Sequence, residues 1–148
     1  MHDQSQLDLR LFRIWMNSSR SLFENIRKDI ESYNINHENF MILELLYSKG
    51  PHPVQKISEK FSIPSGSITY VIDKLEKKRL LARQLNPDDR RASNIVLTKE
   101  GRDLFTEIYS KHIITISQNL SFITNEEKEQ LIHLLKKVGI GAQNLKLS

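Results

Sequence analysis

The chain has 148 residues, a formal net charge of +4 and no cysteine. The lack of cysteine excludes disulfides, thiolate metal ligands and oxidant sensing through a thiol. The length suits one domain, and the apolar stretch Phe40–Tyr47 is interrupted by Glu44 and is too short to span a bilayer. Since no N-terminal apolar run resembles a signal peptide, we expect a cytoplasmic protein without a membrane partner.

Two helices are predicted before residue 50. Apolar residues recur along one face of residues 4–32, which predicts a long amphipathic helix. For the second helix, Asn36 is a suitable N-cap, and Ile35 and Phe40 can form a hydrophobic staple around it. Gly50 is a suitable stop. We therefore expect the second helix to begin directly after Asn36 and to end at Gly50.

A short helix and a longer helix follow closely. Residues Val54–Phe61 have their apolar side chains on one side of about two helical turns. Pro64 interrupts the chain, and Ser65 is a plausible N-cap for an amphipathic segment that runs to Lys78. The apolar face of that segment consists of Ile68, Val71, Ile72 and Leu75. The pattern predicts a helix-turn-helix.

A basic hairpin comes next. Leu80–Leu85 and Asn94–Leu97 can pair as strands, and Asn86–Asp88 has strong turn chemistry. Arg90 and Arg91 lie side by side near this turn. Two adjacent arginines at this position rarely stabilise a fold, so binding to an anion outside the protein explains them better. We therefore expect a winged helix-turn-helix, mainly α with a small β wing. In that motif the second helix enters the major groove of DNA and the wing reaches the neighbouring minor groove.

The positive charge is concentrated in the same region. Residues 53–99 contain ten Lys or Arg and five Asp or Glu, a net charge of +5, and the rest of the chain sums to −1. An uneven distribution of this kind is the electrostatic footprint of a nucleic-acid surface. We expect residues 36–99 to form a DNA-binding lobe whose partner is double-stranded DNA.

Two further helices are predicted after the wing. Thr98 is a suitable N-cap for a helix that runs to about Leu120. Thr124 and Glu127 have the spacing of a capping box, which predicts a last helix ending at about Val138.

The outer helices need something against which to bury their apolar faces. Within a single domain that covers residues 1–148, we expect residues 4–32 and 100–142 to be dimerisation helices. A two-fold homodimer would space its two recognition helices for successive major grooves of a pseudo-palindromic site.

In order and spacing, these motifs resemble the MarR (multiple-antibiotic-resistance regulator) family of bacterial transcription factors. The similar segments include Ile35–Leu46, Ile57–Phe61, Ser67–Lys78 and Ile123–Leu131. The wing signature of that family is Asp-x-Arg, five residues, then Leu-Thr. It is satisfied by Asp89, Arg91, Leu97 and Thr98. The resemblance covers roughly residues 7–140 and implies a dimeric DNA-binding regulator, most simply a repressor that a small molecule releases from DNA.

Candidate DNA contacts lie on the second motif helix and in the wing. The outward residues of the helix are Ser65, Ser67, Thr69, Tyr70, Asp73 and Lys74, which an ordinary solvated face would also explain. The family commonly has Arg at the position of Tyr70, so the base preference should differ. Arg91 matches the family arginine that enters the minor groove, Asp89 would hold it extended, and Arg90 would suit a phosphate.

The resemblance also implies an effector cleft between the dimer helices and the winged unit. Its candidate lining residues are Trp15, Phe40, Tyr47, Tyr109 and His112, all of which could instead be plain core residues. A small aromatic effector is the partner we expect there.

Other functional classes are disfavoured. Five histidines invite a metal site, and Glu24, His37, Glu107 and His112 could in principle converge on one. No His-x3-His pair exists, however, so we expect no metal and no cofactor. No Gly-rich phosphate loop, nucleophile motif or carboxylate pair with histidine is present, so we expect no enzyme. The remaining alternative is a winged-helix module for protein–protein interaction without specific DNA binding.

Overall fold

The computed structural model describes the backbone of residues 2–145 and the side chains of residues 3–88 and 93–145. The described elements, in chain order, are α1 (His2–Glu31), α2 (His37–Lys49), β1 (His52–Pro53), α3 (Val54–Phe61), α4 (Ser65–Lys77), β2 (Leu81–Asn86), β3 (Asp89–Leu97), α5 (Lys99–Asn119) and α6 (Asn125–Asn144). The expected fold, mainly α with a small β wing, is confirmed. The chain divides into two compact units, one ending at Thr115 and the other beginning at Ile116.

The ends of α2 are those that the sequence predicts. The Asn39 N–H donates to the Asn36 side chain over 2.8 Å, which caps the first turn. Gly50 has a φ of 84°, a conformation that favours a residue without a Cβ atom, and its N–H donates to the Leu46 carbonyl. The N-cap and the stop are both confirmed.

The predicted N-cap of α4 is wrong. Pro64 takes the N-cap position with extended backbone, and Ser65 is the first helical residue. The Pro64 carbonyl accepts the first helical bond, from the Ile68 N–H, and no side chain caps the helix. Ser65 lies one residue too late for its hydroxyl to reach the N–H groups that an N-cap satisfies.

The C-terminus of α4 is closed by two backbone bonds of the Schellman type. The Leu80 N–H donates to the Leu75 carbonyl, and the Arg79 N–H donates to the Glu76 carbonyl. This closure needs a left-handed residue, and Arg79 has a φ of 63°, at a cost of about 1–2 kcal/mol for a residue with a Cβ atom. The Arg79 carbonyl also accepts a 2.6 Å hydrogen bond from the Thr98 hydroxyl, which ties the end of α4 to the start of α5.

The wing is an antiparallel hairpin inside a three-stranded sheet of order β1-β3-β2. Leu81 pairs with Leu97 and Arg83 with Ile95, and the register shifts after Leu85. The sequence predicts the hairpin but starts its second strand at Asn94. In the structure β3 begins five residues earlier, because the tight turn at residues 87–88 lets the backbone hydrogen bonds between the two strands continue. The short strand β1 was not predicted.

One apolar core joins the end of α1, helices α2, α3 and α4, the sheet and the first half of α5. Its buried members are Ile30, Phe40, Ile42, Leu43, Leu45, Leu46, Ile57, Ile68, Val71, Ile72, Leu75, Leu81, Ile95, Phe105 and Ile108. The core holds α4 against the scaffold on one side only, which leaves its other side exposed.

The first half of α1 and the whole of α6 bury little within a single copy. Leu7, Leu11 and Ile14 are all more than half exposed on α1, and α6 contains no buried residue. The capping box of α6 is confirmed, but the helix continues to Asn144 rather than ending near Val138, because its exposed glycines keep helical backbone. Within the described residues, no helix combines the length and the apolarity needed to cross a membrane.

Candidate nucleic-acid interface

The exposed face of α4 contains polar side chains of the types that read DNA. The predicted contacts Ser65, Ser67, Thr69, Tyr70 and Lys74 are all exposed on this face. The Thr69 hydroxyl donates to the Ser65 carbonyl over 2.8 Å, so toward a ligand it is an acceptor. The face therefore offers both donors and acceptors to the edges of bases.

Tyr70 and Lys74 form a pair one helical turn apart. The Lys74 Nζ atom lies 4.5 Å from the centre of the Tyr70 ring, within the range of a cation–π contact. This contact places an apolar ring and a positive charge side by side on the exposed face of α4.

A surface groove extends from α4 to the start of α2. Its lining includes Ser67, Tyr70, Lys74 and Lys78 from α4 and its C-cap, with Glu38 and Asn39 from the first turn of α2. Ammonium and amide groups of this kind suit the phosphate backbone, which supplies a large share of protein–DNA hydrogen bonds. Sequence reasoning missed Asn39, although the N-cap at Asn36 locates the turn to which it belongs.

The tip of the wing is shaped by the Asp88 N–H, which donates to the Asn86 side chain over 2.9 Å. Asp89, Arg90 and Arg91 follow directly on β3. Their side chains lie outside the described residues, so the pairing of Asp89 with Arg91 remains a prediction.

The base of the wing is joined closely to α5. Thr98 is the predicted N-cap and accepts a 3.0 Å bond from the Gly101 N–H, while its own N–H donates to the Leu80 carbonyl. A Cβ atom on Gly101 would lie 2.1 Å from the Leu80 carbonyl oxygen, so only glycine permits this approach. The Thr-x-x-Gly sequence therefore fixes where the wing leaves the core.

Arg83 connects the wing to α4 and was not singled out by the sequence. Its Nη1 atom donates to Glu76 over 2.6 Å and its Nη2 atom donates to Asp73 over 2.7 Å. The hydrogen bond to Asp73 raises the pKa of Arg83, with Coulomb attraction from both carboxylates adding to it against burial. The sequence treats Asp73 as an outward residue of α4, but in the fold it is engaged by the wing.

The candidate effector residues divide into a cluster and one outlier. Phe40, Tyr47 and Tyr109 surround Phe105, and His112 packs against Phe40, with ring centres 4.7–6.0 Å apart along the cluster. Phe40 and Phe105 are buried core residues, and Tyr47 and Tyr109 pack against them. Trp15 lies in the exposed part of α1 and does not belong to this cluster.

A polar network borders the aromatic cluster and joins α1 to α5. Asp29 accepts 2.7 Å hydrogen bonds from the hydroxyls of Tyr33 and Thr115, and its other oxygen lies 3.2 Å from His112 Nδ1. Burial alone would raise the pKa of Asp29, but the three hydrogen bonds and the His112 charge outweigh it and hold that pKa below its usual range. Burial and the bond to Asp29 raise the pKa of Tyr33.

His112 is thus a partner of Asp29. The sequence also suggests that Glu24, His37 and Glu107 could converge with it on a metal. In the part of the chain whose side chains are described, no group of three such residues is close enough together to hold one.

These elements define a winged helix-turn-helix DNA-binding protein of the transcription-regulator class. A model of the MarR family matches residues 35–93. The chain is 39% identical over 139 residues to the HTH-type transcriptional regulator MhqR of Bacillus subtilis, covering 94% of this chain and 96% of that protein. It belongs to the MarR family of transcription regulators.

Two other similarities bear on function. The HTH-type transcriptional repressor MdtR of Bacillus subtilis is 30% identical over 145 residues, covering 95% of this chain and 90% of that protein. The fold matches Sco3205, a MarR family regulator from Streptomyces coelicolor solved in complex with DNA, with a TM-score of 0.79 at 17% identity, covering 95% of this chain and 91% of that one. At this identity the second similarity shows the fold alone.

Proposed function

We propose that this protein is a dimeric cytoplasmic repressor that binds a pseudo-palindromic site in double-stranded DNA. The observation that supports this most strongly is the polar, exposed face of α4, held rigidly by a buried opposite face and flanked by the basic wing. One relative is named as a repressor, and one structure of the same fold was solved with DNA.

The dimer is supported by the apolar surface that a single copy leaves exposed. On α1, Leu7 and Leu11 are 57% and 56% exposed, and on α6, Leu134 is 54% exposed. Each fully buried leucine contributes about 1.5–3 kcal/mol, so covering several of them would offset the cost of association. A second copy of the chain supplies the same helices and gives the two-fold symmetry that a palindromic site requires.

In this proposal the two DNA-reading elements have separate tasks. Ser67, Tyr70 and Lys74 on α4 contact the major groove. On the wing, Arg91 enters the minor groove, with Asp89 orienting it, and Arg90 contacts a phosphate.

The test is a titration of the purified protein with the duplex immediately upstream of its own gene and with a scrambled duplex of equal length. We expect tighter binding to the first and a steep fall of affinity with salt. Equal, weak binding to both duplexes would favour the alternative of a protein-interaction module.

Arg91→Ala tests the wing. We expect weaker binding with folding unchanged. We also expect the salt slope, which is the slope of log affinity against log salt concentration, to be lower in magnitude by about one unit. Lys111→Ala is the matched control, because it removes an exposed cation on α5 that pairs with Glu107 over 3.9 Å, away from α4 and the wing. Unchanged affinity in the Arg91 variant would refute this role for the wing.

We also propose that a small aromatic molecule relieves repression by binding beside the cluster of Phe40, Tyr47, Tyr109 and His112. The Tyr47 and Tyr109 hydroxyls and the His112 ring offer polar groups next to an apolar floor. Phenolic compounds should release the DNA from the wild-type protein and release it less readily from Tyr109→Phe. Release that is equally efficient from both would remove Tyr109 from the effector site.

A further inference from the structure

Arg83 bridges the two elements that are proposed to read DNA. In the register of the hairpin it pairs with Ile95, which is fully buried, and it lies on the same face of β2 as the buried Leu81. Its stem therefore extends over the edge of the core toward α4. Its guanidinium then meets Asp73 and Glu76, which lie three residues apart on one side of that helix.

We propose that Arg83 is a positioning residue that fixes the angle between α4 and the wing, so that both reach the same duplex together. A guanidinium is planar and its N–H groups diverge in a fixed fork. Two bonds from this fork to two separate carboxylates fix an orientation, whereas a single bond would leave rotation free. This inference rests on the proposed DNA-binding function and assigns no DNA contact to Arg83.

The ion pairs also change the charge that α4 presents to DNA. Asp73 and Glu76 are the two acidic residues of α4, and unpaired they would repel phosphate. Arg83 pairs with both carboxylates from the wing side and offsets one of their two negative charges. Lys74 remains on the exposed face beside Tyr70.

A purely stabilising role explains this arrangement less well. The side chains of Asp73 and Glu76 are 50% and 41% exposed, and ion pairs that are open to solvent contribute little to stability. The same two bonds have more consequence for geometry, since a small misplacement of a binding element costs affinity even when the fold is intact.

The decisive variant is the double substitution Asp73→Asn and Glu76→Gln. It removes two negative charges from the helix that faces DNA, so electrostatics alone predicts tighter binding. A loss of the positioning bonds predicts the opposite, on the order of tenfold weaker binding to a duplex that the wild-type protein selects from a random library. Binding to an unselected duplex should not weaken.

Asp103→Asn with Glu107→Gln is the matched control, because it makes the same charge change at exposed positions of α5. We expect this control to bind the selected duplex at least as tightly as the wild-type protein. Thermal unfolding of all variants checks the fold, and we expect the unfolding midpoint temperature to shift by only about 2–4 °C.

Arg83 itself gives a second readout. Arg83→Gln should weaken selective binding as the double variant does, without lowering the salt slope. Arg83→Lys should recover only part of the loss, because lysine keeps the charge but lacks the fixed fork of N–H groups. A slope lower by about one unit would mean that Arg83 contacts phosphate and would overturn the inference. Unchanged or tighter binding by the double variant would overturn it as well. If the wild-type protein selects no duplex, the proposed function fails instead.

Discussion

The winged helix-turn-helix and the long outer helices differ sharply in how they bury their apolar residues. In the first region, Ile57, Ile68 and Ile95 are fully buried although their elements are short. In the second, α1 and α6 are 30 and 20 residues long, yet the first half of α1 and all of α6 leave their leucines exposed. Length and amphipathicity make a helix, but only a partner surface buries it. The winged unit contains its own partner surfaces, and the proposed dimer would supply one to the outer helices.

The largest expected effect separates these two regions with one type of substitution. Leu46→Ala removes a leucine that is 1% exposed in α2, and we expect the free energy of unfolding to fall by about 2–5 kcal/mol. Leu134→Ala removes a half-exposed leucine of α6 and should cost less, mainly by weakening self-association. Urea unfolding at two protein concentrations measures both. If the loss of unfolding free energy in the Leu134 variant were the same at both protein concentrations, Leu134 would have no role in self-association.

The next effect concerns association itself. Leu11→Asp puts a charge on the apolar face of α1, and each substitution counts twice in a two-fold interface. We expect the dimer dissociation constant to rise by about a hundredfold, measured by sedimentation equilibrium. Asn17→Asp is the control, because it adds the same charge to the same helix at an exposed polar position. Similar behaviour of the two variants would show that the apolar face of α1 does not mediate association.

Most of what the sequence predicts correctly is local. The caps at Asn36, Thr98 and Thr124 depend on residues within one turn, and the amphipathic face of α4 depends on the helical repeat. The cap at Ser65 failed because Pro64 supplied a carbonyl one residue earlier, which a capping pattern does not distinguish.

Two site features depend on distant residues and could not be predicted in this way. Arg83 is ten residues from Asp73, and Asp29 is 83 residues from His112. Each pairing follows from how the strand or helix is set against the core. The exposed polar face of α4 was predictable, but the bonds that Arg83 makes to this helix were not.

A smaller effect contrasts two glycines, one in each region. Gly101→Ala would force a Cβ atom to 2.1 Å from the Leu80 carbonyl oxygen, and we expect a loss of about 1–3 kcal/mol in the free energy of unfolding. Gly139→Ala meets nothing within 4 Å on α6 and should add up to about 1 kcal/mol, because alanine favours a helix more than glycine does. Calorimetry measures both. A stable Gly101 variant would mean that α5 can move away from the wing.

The smallest effect is the pH dependence contributed by Asp29, which joins the outer helix α1 to α5. The pKa of Asp29 is lower in the folded chain than its ordinary value of 3.8, so its ionised form is favoured by folding. This contribution is complete above about pH 5 and is lost as the pH falls through the folded-state pKa. Asp29→Asn should therefore cost about 1 kcal/mol at neutral pH, and the difference from the wild-type protein should shrink in acid. Urea unfolding between neutral and acidic pH measures it, with Asp103→Asn as an exposed control on α5. A difference that stays constant over this range would mean that the ionised carboxylate of Asp29 does not stabilise the contact between α1 and α5.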